Sequence, residues 1–150
     1  MRPSVRRFRP LRGLLGGLVL AIVGCAQAPL SPLDQPERWR YAADQQLPTP
    51  ARLEGALTIE RTEGDRFEGR LEGQRVSPAG AIERFGGFVR GQRDARTITF
   101  EFSADGGIMR HVGERVTGEP AGTRHRGTWI DDGALGGTLV SGAFTLERLP

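Results

Sequence analysis

The chain has 150 residues, with 22 glycines, a single cysteine and a formal net charge of +3. Five of its 21 basic residues precede Cys25 and all 18 acidic residues follow it, so the chain from Cys25 onward carries a net charge of −2. This balance removes the electrostatic basis for nucleic-acid binding, and one cysteine excludes an intramolecular disulfide and a multi-cysteine metal site.

The first 25 residues have the layout of a secretory signal. Five arginines between Arg2 and Arg12 are followed by the uncharged, mostly apolar run Gly13–Gly24 and then by Cys25. A membrane-spanning helix needs about 18 or more apolar residues, and this run is shorter. We therefore expect the segment to be cleaved after export.

The residues Ile22-Val23-Gly24-Cys25 resemble the lipobox of bacterial lipoproteins. This resemblance implies that residues 1–24 are a signal peptide and that Cys25 becomes the lipidated first residue of the mature chain. Its fatty acyl chains (palmitate among them) would anchor the protein stably, because two or more chains suffice for that. Ala26 stands where Asp would indicate inner-membrane retention, so the expected location is the outer membrane, facing the periplasm.

Residues 25–52 are predicted to form a proline-rich tether behind the lipidated cysteine. Five prolines fall within this stretch, and proline disfavours regular strand pairing. Trp39 and Tyr41 lie within it, either docked on the domain or alternating on a short strand. The prediction places the folded domain at residues 53–150.

From Leu53 onward, apolar and polar residues alternate with a period of two, which predicts strands with one buried and one solvent-facing side. Turn signals rich in glycine, aspartate and proline separate these strands. The pattern predicts seven strands, at 53–61, 66–76, 81–91, 95–103, 107–117, 122–131 and 137–148.

The predicted fold class is all-β, an up-and-down antiparallel meander that closes into a small barrel of seven or eight strands. Glycines inside the strands favour a tightly curved sheet, and a β-sandwich is the alternative. The segments Gly127-Thr128-Trp129 and Gly142–Leu146 resemble parts of avidin and lipocalin-like barrels. In the first hairpin, a three-residue turn ending at Gly64 predicts Leu57 opposite Gly69.

The candidate ligand-binding residues lie on the hairpin formed by the fifth and sixth predicted strands. A turn centred on Pro120 places His111 opposite Trp129 and Arg115 opposite His125, with all four side chains on one face. If that face points inward, Trp129 stacks on a ring or acyl chain while the other three hold an anionic or hydrogen-bonding group. Alternatively, the face points outward, or these groups merely satisfy one another in a packed interior without a ligand.

We predict a non-enzymatic protein with no cofactor and no metal ion. The sequence has no Gly-Lys-Ser/Thr or Gly-x-Ser-x-Gly motif, and two histidines without a third ligand make a poor metal site. The expected function is that of an envelope lipoprotein whose barrel binds a small amphipathic ligand or an envelope component such as a protein. The alternatives are an inhibitor of an envelope-attacking protease or lysozyme, and a purely structural envelope protein.

Overall fold

The computed structural model describes residues 28–104, 107–118, 120, 123–131, 133 and 139–150; Cys25 and the predicted signal segment lie outside these ranges. Eight antiparallel strands follow one another in chain order and close into a barrel, as the all-β barrel prediction states, and not a sandwich. Within the described ranges, no helix has the length and apolarity of a membrane span. The strands are β1 Ser31–Leu47, β2 Ala51–Glu63, β3 Arg66–Val76, β4 Ile82–Arg93, β5 Thr97–Ala104, β6 Gly107–Arg115, β7 Arg124–Asp131 and β8 Val140–Arg148.

The prediction of a tether over residues 25–52 is wrong for most of that segment, because residues 31–47 form the longest strand of the barrel. Strand β1 pairs with β2 on one side and with β8 on the other. Its prolines at 32 and 36 lie where the β1–β2 register is irregular. Proline lacks a backbone N–H group, and at this place its absence does not break a regular series of inter-strand hydrogen bonds. The domain therefore begins at Ser31, and five residues separate that position from Cys25.

The predicted register of the first hairpin is also wrong. Leu57 pairs with Leu71, and Gly69 pairs with Ile59 instead. The turn contains only Gly64, at φ +56°, and Asp65, and the register shifts by one residue between Ile59 and Arg61. Such a bulge adds one residue to a single strand, and the period-two pattern does not report it.

The inward side chains of all eight strands form one core. We call the end at which the odd-numbered strands begin the closed end, and the end at which they finish the open end. All eight described strands lie within residues 31–148, so a chain that begins at Ala26 contains every strand of the barrel. The largest fully buried side chains are Trp39, Trp129, Tyr41, Phe67, Phe102, Phe144, Leu57, Ile59, Leu71, Ile98, Leu146 and His111.

An ion pair across the barrel covers the core at the closed end. Arg93 of β4 donates two hydrogen bonds of 2.7 Å to the carboxylate of Glu37 in β1. These bonds hold the pKa of Glu37 below its usual range. Arg148 lies 3.7 Å from the same carboxylate and 6.0 Å above the Trp39 ring, and Leu33 packs against the core. The closed end is therefore filled by side chains.

We predict that Leu57→Ala lowers the free energy of unfolding by about 2–5 kcal/mol, because it leaves a cavity in the core. Leu57 is 0% exposed, whereas Leu47 is 50% exposed, so Leu47→Ala is the matched control and should change stability by about 0.5 kcal/mol or less. Urea unfolding followed by circular dichroism measures both. Equal effects of the two substitutions would contradict the inward assignment of Leu57.

Candidate functional site

The predicted register of the second hairpin is confirmed. In the β6–β7 pair, His111 lies opposite Trp129, and Arg115 lies opposite His125. His111, His125 and Trp129 are each at most 2% exposed, so this face points into the barrel.

The structure corrects the prediction that these four side chains share one pocket. Inward-facing neighbours on a strand are about 7 Å apart, so residues four positions apart are separated by about 13 Å along the strand. Trp129 consequently reaches the open end, and His111 lies in the middle. His125 and Arg115 lie at the closed end, where the ring of His125 is 5.7 Å from that of Trp39.

A cavity of about 820 Å³ lies at the open end of the barrel. Its volume is within the range of about 300–1,000 Å³ that is usual for small-molecule sites. The cavity exists because small residues such as Ala104 and Gly107 point inward here, whereas large rings fill the closed end. Its apolar wall consists of Tyr41, Leu53, Leu71, Phe85, Phe102, Ala104, Met109, Trp129 and Val140.

Charged and polar side chains form the rim of this cavity. Arg75 donates one hydrogen bond to Gln45 (3.1 Å) and another to Glu83 (2.9 Å), which ties β1, β3 and β4 together at the mouth. Arg84 and Asp131 also line the cavity. Among the described lining residues, the two arginines and the two carboxylates balance in formal charge.

At the inner end of the cavity, Tyr41 forms an uncharged pair with His111, which lies deeper in the core and does not line the cavity. The Tyr41 hydroxyl and His111 Nε2 are 3.1 Å apart, and the imidazole stacks on Phe100 with ring centroids 4.1 Å apart. Burial lowers the pKa of His111 to about 3 and raises the pKa of Tyr41. Both groups are therefore neutral at physiological pH and share a hydrogen bond with each other.

Trp129 forms part of the wall above this pair. Its indole lies across Gly142 of β8, and Nε1 is 2.8 Å from the position that a Cβ of residue 142 would occupy. The Nε1 atom is buried and has no hydrogen-bond partner in the described part of the chain. This nitrogen is therefore packed against Gly142 and is not exposed on the cavity wall.

Sequence reasoning missed the cavity residues on β1, β3 and β4. The predicted tether includes Tyr41 and Gln45 because of the prolines around them, although they alternate with exposed residues in the pattern typical of a strand. Arg75 points inward at the mouth, where an arginine is not recognisable as a cavity residue from the alternation alone. Among the described residues, no group of three or more His, Cys, Asp or Glu side chains could hold a metal ion.

No protein-family model matches the chain, and no curated protein matches it. Among solved structures, the chain is similar to EF1p2_mFAP2b bound to DFHBI, with a TM-score of 0.59 and 11% sequence identity. The match covers 76% of this chain and 93% of that chain. At this identity, the similarity shows the fold alone.

We predict that acid destabilises the barrel through His111. The pKa of His111 is about 3 in the folded protein and about 6.5 in the unfolded chain. As the pH falls, the unfolded chain therefore binds the proton first, and the free energy of unfolding decreases below pH 6.5. This group alone should lower the unfolding free energy by about 2 kcal/mol between pH 7.5 and pH 5.0. His111→Gln, which cannot bind that proton, should show a correspondingly smaller decrease.

Urea unfolding of both proteins at the two pH values measures this difference. His125 contributes in the same direction in both proteins, because burial, followed by the charges of Arg93 and Arg115, also lowers its pKa. Only the difference between wild type and variant therefore reports on His111. Equal decreases in the two proteins would show that His111 is not the group responsible.

Proposed function

We propose that the protein is an envelope-anchored lipoprotein whose barrel binds a small amphipathic ligand without catalysing a reaction. The observation that carries this proposal is the cavity of about 820 Å³ with an apolar wall and a polar rim. This combination suits a ligand with an apolar body and a polar end. The complex of the similarly folded EF1p2_mFAP2b with DFHBI supports a binding role for such a barrel.

The state of the buried titratable groups favours binding over catalysis. General acid–base catalysis works best when the pKa of the catalytic group is near the ambient pH. Burial moves the pKa of His111 down and that of Tyr41 up, and each shift is away from neutrality. The Tyr41–His111 pair at the inner end of the cavity is therefore suited to shaping the site rather than to transferring a proton.

The lipobox resemblance at Cys25 supports the membrane anchor. Six extended residues span at most about 20 Å, so lipidated Cys25 would keep Ser31 within that distance of the membrane. Strand β1 begins at the closed end. We therefore propose that the closed end faces the outer membrane and that the mouth of the cavity opens toward the periplasm.

The position of the N-terminal aromatic residues favours the binding role over an inhibitor that inserts this segment into an enzyme. Trp39 and Tyr41 are each 1% exposed and belong to the core. They are thus not on a free segment that could enter the cleft of a hydrolase. The cavity likewise favours a ligand-binding role over a purely structural one, because a structural barrel gains stability from a filled interior.

We predict that a ligand changes the fluorescence of Trp129 but not that of Trp39. The chain has two tryptophans, so Trp39→Phe leaves only the cavity tryptophan and Trp129→Phe leaves only the one at the closed end. Each variant, beginning at Ala26, is titrated with a lipid extract of bacterial envelopes. Quenching or a spectral shift is expected only in Trp39→Phe. Native mass spectrometry of the wild type should then show a retained small mass.

Two outcomes of this titration would contradict the proposed site. If Trp39→Phe shows no spectral change and the wild type retains no added mass, the cavity does not bind components of the extract. If Trp129→Phe responds as strongly as Trp39→Phe, the ligand does not occupy the open end specifically.

We predict that Cys25→Ser abolishes lipidation. In a bacterial host, the wild-type protein should fractionate with membranes and show a mature mass that includes acyl chains, whereas Cys25→Ser should lack that added mass. Intact-mass spectrometry of the membrane fraction measures both. A wild-type protein without acyl mass, cleaved at another position, would contradict the anchor.

A further inference from the structure

Three arginines face inward at the closed end of the barrel and share a single inward-facing carboxylate among the described residues. Arg93 and Arg148 both contact Glu37, at 2.7 Å and 3.7 Å. Arg115 lies opposite His125 in the β6–β7 pair and makes no ion pair with a described residue. We call Arg93, Arg115 and Arg148 the closed-end arginines. Together with Glu37 they leave an excess of positive charge at this end.

Ring contacts and charge effects show that the closed-end arginines are neighbours. The guanidinium of Arg148 lies 6.0 Å from the centre of the Trp39 ring, and that ring is 5.7 Å from the ring of His125. Burial, followed by the charges of Arg93 and Arg115, lowers the pKa of His125. All three cations are therefore arranged around the same pair of buried rings.

The closed-end arginines are accessible from outside the barrel. The side chains of Arg93 and Arg148 are 26% and 49% exposed, and Arg115 is partly exposed. The other described carboxylates at this end lie among arginines on the outer face or in turns, as Glu147 does beside Arg40 at 3.4 Å. The excess of positive charge is thus confined to the inward-facing cluster, which an external anion can reach.

The position of the anchor indicates where such an anion comes from. Strand β1 begins at the closed end, and only five residues separate Ser31 from Cys25. An extended segment of this length spans at most about 20 Å. Acylation of Cys25 would therefore bring the closed-end arginines close to the headgroups of the membrane. Arginines near a bilayer are attracted to its anionic lipids.

Resting on the membrane anchor proposed above, we infer that the closed-end arginines bind the headgroups of anionic phospholipids and hold the barrel upright on the bilayer. The chain from Cys25 onward has a net charge of −2, so the protein as a whole is not attracted to an anionic surface. The attraction arises from the placement of these three charges at one end. This contact with the membrane leaves the mouth of the cavity free.

Vesicle sedimentation tests the contact in the absence of the acyl anchor. The chain that begins at Ala26 is mixed with vesicles of phosphatidylcholine, with or without phosphatidylglycerol. Binding should be tighter to vesicles that contain phosphatidylglycerol, and it should weaken as sodium chloride is added, because salt screens exposed charges. Arg115→Gln and Arg148→Gln should each lower the apparent affinity about fivefold, the contribution of one arginine near an anionic surface.

Arg52→Gln is the matched control for both variants. It makes the same change in net charge at the open end, where the Arg52 side chain is 70% exposed, and it should leave the affinity unchanged. Urea unfolding checks that each variant is folded. Because Arg115 has no ion pair with a described residue, Arg115→Gln should unfold at the same urea concentration as the wild type.

Energy transfer from tryptophan to a dansyl group on a phospholipid measures the orientation of the acylated protein on vesicles that contain phosphatidylglycerol. Trp129→Phe, which keeps the closed-end Trp39, should transfer more energy than Trp39→Phe, which keeps the tryptophan of the open end. Adding Arg115→Gln to Trp129→Phe should decrease the transfer, because the closed end is then held less firmly against the headgroups.

The outcomes separate this inference from the proposed function. Binding that does not depend on phosphatidylglycerol, or that Arg52→Gln weakens as much as Arg115→Gln does, overturns the inference. Greater energy transfer from Trp129 than from Trp39 also overturns it. If sodium phosphate releases the protein from vesicles more strongly than sodium chloride of equal ionic strength, the arginines bind a free oxyanion instead of the membrane. Ligand binding and acylation of Cys25 would stand in each case, since the extract titration and the intact-mass measurement test them independently.

Discussion

Closure of β1 onto β8 is the contact on which the rest of the structure depends. It pairs the first strand with the last, from Trp39 opposite Arg148 to Leu47 opposite Ser141. Without it, both strands would be free edges with unpaired backbone groups, and the inward faces would be open to water. The approach is close enough that a Cβ at Gly142 would overlap the backbone oxygen of Asp44. Glycine at that position is therefore a condition of closure.

Once the barrel is closed, side-chain size decides what each end can do. Large rings and the Glu37–Arg93 ion pair fill the closed end. At the open end, Ala104 and Gly107 leave space for the cavity. The stacked ring of His111 lies between the two regions. One sheet of nearly uniform backbone geometry thus provides both a stabilised base and a candidate binding site.

Few of the described charged side chains lie in the middle of the barrel interior. Tyr41 and His111 form a hydrogen bond with one another in the middle, and the charged residues of the cavity are at its rim. A neutral interior has two consequences. It favours ligands whose buried groups are uncharged, and it makes the fold sensitive to acid. Both follow from the same desolvation that lowers the pKa of His111.

The sequence determined the fold class and much of the local detail through the alternation of side chains. Inward and outward positions from Leu53 onward follow it, and the turn around Pro120 was sufficient to predict the pairing of His111 with Trp129. The predicted register failed at the first hairpin, where the turn consists of Gly64 and Asp65 and a bulge near Arg61 shifts the pairing by one residue. The alternation also extends into β1, where Trp39 occupies an inward position. The prolines of that segment nevertheless led to the prediction of a tether.

Only the tertiary structure decided which inward residues share a site. A period of two specifies the face of a strand but not the depth of a residue along the barrel, so it grouped Arg115 and His125 with Trp129 although they lie at opposite ends. The cavity depends on residues from strands far apart in sequence, such as Tyr41, Arg75 and Trp129. Their proximity is set by the closure and tilt of the whole sheet, which local patterns do not encode.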